Sequence, residues 1–222
     1  MESLIRLRNA PVMNLLRKIY IKTTNLTRGY QDKQSKLVSF YKLWAPVYDL
    51  SIKLDPAYQK NLKAMISDTV SEGDETLDIG CGTGLGTIYA STMAANVLGL
   101  DSSRDMLNKL EQKINKQQIN NIRLRRGFFP EVIQAGERFN SIITSFMLAH
   151  LSREQRTIAI KAMFDLIKPG GRVGFFAARG EVAPTFQTKQ ETENNLFAAG
   201  FEAVKIHDVD DIYRITTAKK PG

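Results

Sequence analysis

The chemistry of this sequence gathers around position 80, in Thr76-Leu-Asp78-Ile-Gly80-Cys-Gly82-Thr-Gly84-Leu-Gly86. Glycines at this density allow tight turns and let a ligand approach main-chain N–H groups. A dinucleotide fingerprint, G-x-G-x-x-G, does not fit. Counted from Gly80 its third glycine falls on Leu85, and counted from Gly82 it falls on Thr87. A carboxylate two residues before Gly80 would also repel a pyrophosphate, whereas it suits a ligand carrying a positive charge and an amino group. A second carboxylate, Asp101, closes the apolar run Val97-Leu-Gly-Leu100. That is where nucleotide-binding α/β folds hold ribose hydroxyls. Other reactive side chains are few: one cysteine, Cys81, and two histidines, His150 and His207. A disulfide framework and a thiolate metal site are excluded, and no metal centre is expected.

Elements to position these groups can be read from periodicity. From Thr76 onward, short apolar segments alternate with helical patterns, the signature of a parallel sheet with helical crossovers. Strands are expected at about 76–80, 96–101, 121–126, 139–145 and 171–177, with helices at about 84–94, 104–118 and 152–168 between them. A helix near 188–199 then leads to strands at about 202–209 and 211–218, close enough to form an antiparallel hairpin. Upstream, Asp55-Pro56 offers an N-cap followed by proline in the first turn, and Leu62, Met65, Ile66, Thr69 and Val70 share one face of the helix it starts. Two further helical patterns precede it, one from Pro11 through Tyr20 and one from Leu37 to Trp44.

The chain has 222 residues, 43% hydrophobic and 24% charged, with a formal net charge of +8. That suffices for one α/β domain and an accessory segment, and no run approaches the ~20 apolar residues that span a bilayer. All of the excess charge lies in residues 1–63, which hold 12 Lys/Arg against 4 Asp/Glu; the remainder is balanced. A nucleic-acid binder is not expected from so uneven a distribution. Residues 1–70 are therefore read as a helical lid and substrate segment, and 71–222 as the ligand-binding domain.

A ribonucleoside joined to a cationic amino-acid portion, without phosphate, describes S-adenosylmethionine. Over about residues 73–218 the chain resembles the class I S-adenosylmethionine-dependent methyltransferases. The resemblance rests on four elements in order: the Asp78–Gly86 loop, Leu98-Gly-Leu-Asp101-Ser-Ser-Arg-Asp-Met106-Leu, the Leu166-Ile-Lys-Pro169-Gly-Gly turn, and the closing hairpin. It implies a Rossmann-like, seven-stranded, mostly parallel sheet with a C-terminal antiparallel hairpin. It also implies S-adenosyl-L-methionine as cofactor. Gly80, Cys81, Gly82 and Gly84 would line its methionine portion, with Asp78 near the amino group. Asp101 would take the ribose hydroxyls, Ser102 and Met106 would flank adenine, and Gly127, Phe128 and Ser145 would complete the site. Two positions depart from the family. Gly127-Phe128-Phe129 stands where Gly-Asp-Ala is frequent, and Asn140 stands where the family has an aspartate. Adenine would then be read by backbone groups and apolar packing.

Methyl transfer needs alignment and desolvation more than special side chains, so no catalytic dyad is required. Ser145-Phe146-Met147-Leu148 is not the Pro-Pro-aromatic motif of amide and adenine N-methyltransferases, and Cys81, expected to be buried, does not suit cytosine C5 chemistry. The string Trp44-Ala-Pro-Val-Tyr48-Asp resembles a segment of bacterial phospholipid N-methyltransferases, with related openings in quinone C-methyltransferases. His150 and Tyr48 are the candidate catalytic residues: His150 as a base, Tyr48 as part of an aromatic wall with Tyr41 and Trp44. The expected function is methyl transfer to a lipid or lipid-like small molecule, a phospholipid head-group amine being favoured. Methylation of a quinone or other small molecule is the alternative, and a non-catalytic cofactor-binding module the second. A cytoplasmic protein that meets an anionic membrane surface through residues 1–63 is the corresponding location.

Overall fold

A computed structural model describes Asp49, residues 55–182, 185–209 and 211–222. The two helical patterns expected before residue 49, and with them Tyr48, lie outside the described residues. The helix from Asp55-Pro56 is present as α1 (Pro56–Thr69), and the Asp55 carboxylate accepts from the Tyr58 N–H at 2.9 Å. Then follow β1 (Glu75–Ile79), α2 (Leu85–Ala90), β2 (Asn96–Asp101), α3 (Arg104–Gln117), β3 (Ile122–Arg126) and β4 (Phe139–Ser145). A short 3-10 turn (Met147–His150) leads to α4 (Arg153–Leu166), β5 (Ile167–Ala178), α5 (Lys189–Ala199), β6 (Glu202–Val209) and β7 (Tyr213–Lys219).

The seven strands form one sheet in the order β3-β2-β1-β4-β5-β7-β6. β1 to β5 are mutually parallel, while β7 runs antiparallel to both β5 and β6. Successive residues in the central strands serve opposite faces, and both faces are covered. Ile142 and Phe175 pack in the cluster around Ile160 and Met163 of α4, whereas Ile143 and Phe176 pack with Leu62, Met65 and Ile66 of α1. Burial on both faces is why adjacent apolar pairs, Ile142-Ile143 in β4 and Phe175-Phe176 in β5, stand where a half-exposed strand would alternate. α3 closes the β2–β3 end through Leu107, Leu110 and Ile114.

Three expected boundaries differ: the ends of two helices and the start of β5. The helix expected over 84–94 covers only Leu85–Ala90, because the chain turns at Ser91 and the Asn121 side chain donates to the carbonyls of Ser91 and Ala94 at 2.9 and 3.1 Å. The helix expected to 168 stops at Leu166, and Ile167 already pairs with Phe139. The Lys168–Gly171 stretch, expected as a turn, is a bulge inside β5: pairing resumes with Ser141 opposite Arg172.

Sequence order reverses between β1 and β4, so the crossovers leave in opposite directions at their C-terminal ends. A cleft opens there, as open α/β sheets require.

Candidate active site

The glycine loop leaves β1 at this reversal. Gly80 adopts φ +74°, and a side chain at Gly80 would meet the Met147 side chain at 2.8 Å, so glycine lets the loop pass the segment that follows β4. Gly84, at φ +88°, is the N-cap of α2, and its missing side chain is replaced by Leu110 of α3. The Gly80 and Cys81 amides both donate to the Leu100 carbonyl, which ties the loop to the end of β2. Asp101 completes that tie: its carboxylate accepts from the Gly82 amide and from the Ser103 amide, each at 2.8 Å.

Two adjoining cavities result. The larger, about 920 Å³ and open to solvent, is bordered by Gly80, Gly82, Asp101, Ser102, Met106, Gly127, Phe128, Ser145 and His150. The smaller, about 390 Å³, is bordered by Asp78, Cys81 and Gly84, together with Tyr58, Thr83 and Leu85. Gly80 and Ser145 border both. Every candidate residue among the described ones therefore borders one of two adjoining cavities, but Asp78, Cys81 and Gly84 are set apart from the larger. The Cys81 thiol faces inward, toward the packing gap at Gly99 and the Leu107–Leu110 cluster, and burial pushes its pKa well up.

The electrostatics divide the site. Asp78 is 4% exposed and accepts from the Thr87 hydroxyl at 2.7 Å. Burial, offset in part by that hydrogen bond and reinforced by the nearby Asp101 charge, raises its pKa to about 7. Burial also raises Asp101, against hydrogen bonds from the Ser103, Gly82 and Ser102 amides. His150 is shifted to about 4 by burial and by the Arg156 guanidinium. It is thus neutral near pH 7.

Sequence reasoning did not single out several wall residues. Phe146, Met147, Leu151 and Phe186, together with Phe129 next to Phe128, make much of the larger cleft's lining apolar. Phe146 holds a left-handed backbone at φ +62°, which for a non-glycine residue costs about 1–3 kcal/mol and is a recurrent feature of functional sites. Its ring meets those of Tyr58, Phe176, Phe186 and Tyr213 at centroid distances of 5.4–6.1 Å. Tyr58, brought by α1, shares a hydrogen bond of 2.8 Å with the Ser145 hydroxyl. The available signal was Tyr58's place in the first turn of the helix capped by Asp55.

Asn140 explains its own departure from the family. Its side-chain oxygen accepts from the Glu75 amide at 3.1 Å and from Lys168 Nζ at 2.9 Å, at the opposite end of the sheet from the cleft. Of the arginines in β3, Arg125 makes a bidentate pair with Glu137 at 2.6 and 2.8 Å, and Arg126 reaches the Ser102 carbonyl at 3.3 Å. His207 is exposed on β6. Among the described residues no His, Cys, Asp and Glu cluster suits a metal ion, and no helix is long and apolar enough to cross a membrane.

Comparison with known proteins agrees with this geometry. A family described as a methyltransferase domain matches residues 76–171. An uncharacterized methyltransferase of Oceanobacillus iheyensis is 27% identical over 177 residues, covering 76% of this chain and 78% of the relative. A demethylmenaquinone methyltransferase of Alkalihalophilus pseudofirmus is 30% identical, covering 71% of this chain and 68% of the relative. An N-methyltransferase from Bradyrhizobium japonicum, solved with S-adenosyl-L-homocysteine, superposes with a TM-score of 0.64 at 17% identity. That superposition covers 75% of this chain and 89% of the other.

Proposed function

The chain belongs to the class I S-adenosylmethionine-dependent methyltransferases, and from that premise we propose that it methylates a flat, hydrophobic small molecule of the quinol type. S-adenosyl-L-methionine is its cofactor and a small molecule its acceptor. When bound, the cofactor supplies an electrophilic methyl carbon on a cationic sulfur.

The residues present fit such a group. Asp78 is a buried carboxylate without a cationic partner among its hydrogen bonds, beside a glycine loop whose backbone is open to close approach. Asp78, Gly80, Gly82 and Gly84 would hold the amino-acid portion. Asp101 would take the ribose, while Ser102, Met106, Gly127 and Phe128 would enclose adenine.

The acceptor reading is carried by one observation: Phe129, Phe146, Met147, Leu151 and Phe186 line the same cleft as His150. Of the described residues lining it, Asp101 is the sole carboxylate, so an acceptor ammonium would find no anionic partner there. A flat apolar ring buries its faces against the rings and presents a hydroxyl to His150. Neutral His150 takes the proton from that hydroxyl, which raises electron density on the neighbouring ring carbon. That carbon would take the methyl as the methyl–sulfur bond breaks to leave a neutral thioether; its ring proton leaves to solvent as aromaticity returns, and His150 gives the first proton back to the ring oxygen. The demethylmenaquinone methyltransferases among the relatives agree with this acceptor class.

The phospholipid head-group amine is the second reading. Aromatic rings can hold an alkylammonium by cation–π attraction, and the phosphoethanolamine N-methyltransferase of Haemonchus contortus superposes with a TM-score of 0.63. Under this reading the basic residues 1–63 would rest on an anionic surface, and we keep 1–70 as the substrate segment and 71–222 as the cofactor domain. α1, at the end of that segment, already touches the site through Tyr58. Labelled methyl transfer from S-adenosylmethionine to a demethylated quinol and to phosphatidylethanolamine vesicles decides between them. Label in the quinol fraction is expected; label confined to the phospholipid would overturn the first reading in favour of the second.

A further inference from the structure

The glycine loop is gripped from outside the sheet as well as from β2. Thr83, 1% exposed between Gly82 and Gly84, is held at two atoms. Its hydroxyl donates to Asp49 Oδ1 at 2.6 Å, and its carbonyl accepts from Lys113 Nζ at 2.8 Å. The same ammonium lies 3.0 and 2.9 Å from the two Asp49 oxygens, which closes a three-membered network. Lys113 stands near the middle of α3, about one turn beyond Leu110, the residue that fills the space at Gly84. Burial opposes the charge on Asp49, but hydrogen bonds from Thr83 and Lys113 hold its carboxyl below the usual range.

The network's value is not as a surface ion pair: both side chains are 32% exposed, and such pairs contribute little to stability. Its placement argues for another role. Glycine-rich backbone has many accessible conformations, and a site that must be ordered by its ligand binds more weakly than one ordered beforehand. The pairing also neutralises an ammonium beside a site that receives a cation.

We propose that Asp49 is a positioning residue for the cofactor loop, acting through Thr83 and Lys113 to hold Gly82–Gly84 in the ligand-binding arrangement. This rests on the assignment of S-adenosylmethionine to that loop.

The full-length protein and its Asp49→Asn, Thr83→Val, double, Asp49→Glu and Lys113→Met variants are titrated calorimetrically with S-adenosylmethionine and with S-adenosylhomocysteine. Hydrogen exchange at the 82–84 amides is followed in the ligand-free proteins. Asp49→Asn and Thr83→Val should each weaken both ligands about 5- to 10-fold, the size expected for one ordinary net hydrogen bond. The double variant should be no more than about twofold worse than either single one, because both break one network. Asp49→Glu should recover most of the affinity, and loop exchange should quicken in Asp49→Asn. Lys113→Met gives the same direction from the other side should an Asp49 variant fail to fold. Affinity in Asp49→Asn within about twofold of the parent, or additive losses with unchanged loop exchange, overturns the proposal. Absence of binding in the parent protein would instead overturn the cofactor assignment, and exchange at the loop would still report on the grip.

Discussion

At the scale of single residues, Asp101 at the end of β2 is tied to the glycine loop. Asp101 faces the larger cleft while accepting from the Gly82 and Ser103 amides, so its removal frees those amides and, on the proposed assignment, deletes a ligand partner. Asp101→Ala should weaken S-adenosylmethionine about 10- to 100-fold by calorimetry, the range for charge-assisted hydrogen bonds, with exposed Glu111→Ala as a control that leaves it unchanged. His150 is testable by rate. If it takes the acceptor proton, His150→Asn should lower kcat about 10²- to 10⁴-fold with little change in cofactor affinity. In the parent protein the acid limb set by His150 should appear near pH 4, since burial and Arg156 keep the imidazole neutral above that value. A limb at the ordinary 6.5 would show that His150 is not the group being read.

At the scale of elements, the packing of α1 on β5 controls the acceptor side. A side chain at Gly174 would meet Thr69 Oγ1 at 2.2 Å and Met65 Sδ at 2.5 Å, so the helix lies directly on that glycine. Gly174→Ala should therefore lift α1 and cost about 1–3 kcal/mol in urea unfolding, and weaken the Tyr58–Ser145 contact with it. Much of this architecture was legible in the sequence because strands buried on both faces and helices with one apolar face leave distinct patterns. The Asp55-Pro56 cap, the hairpin order and the Asp78–Gly86 loop each follow from local chemistry. Elements decided by distant partners were not legible. α2 ends where Asn121 caps it, and the Pro169-Gly-Gly stretch joins β5 because Ile167 pairs with Phe139. The carboxylates of the cofactor side could be read from spacing in one segment. The apolar wall of the larger cleft could not, since Phe129, Phe146 and Phe186 come from three separate segments, and nothing in the local text marks Phe146 for a left-handed backbone.

At the scale of the whole molecule, the site leaves a mark on stability. Asp78 has a folded pKa of about 7 against an ordinary 3.8, so between those values the folded chain binds a proton that the unfolded chain does not. Its contribution is whole below about pH 4 and is lost as pH rises through 7. His150 has the opposite sign: its contribution is whole above 6.5 and is lost as pH falls through about 4. Ligand-free protein should melt at a lower temperature at pH 8 than at pH 6, and Asp78→Asn should remove most of that loss. Each kcal/mol recovered would raise the midpoint by about 2–4 °C in scanning calorimetry. Saturating S-adenosylmethionine should protect the parent protein more strongly at pH 8, where Asp78 is ionised and can face a cation. Equal protection at pH 6 and pH 8 would show that Asp78 does not sense the ligand charge.

An open seven-stranded sheet also has two borders, β3 and β6. Arg123 and Arg126 project from one; Glu202, Lys205, His207 and Asp208 are exposed along the other, whose register slips between Glu202 and Lys205. Unpaired main-chain groups on such borders invite another copy to add a strand, and charged side chains with a break in register oppose that addition. The same borders that end the sheet thus guard the molecule against growing into a fibre.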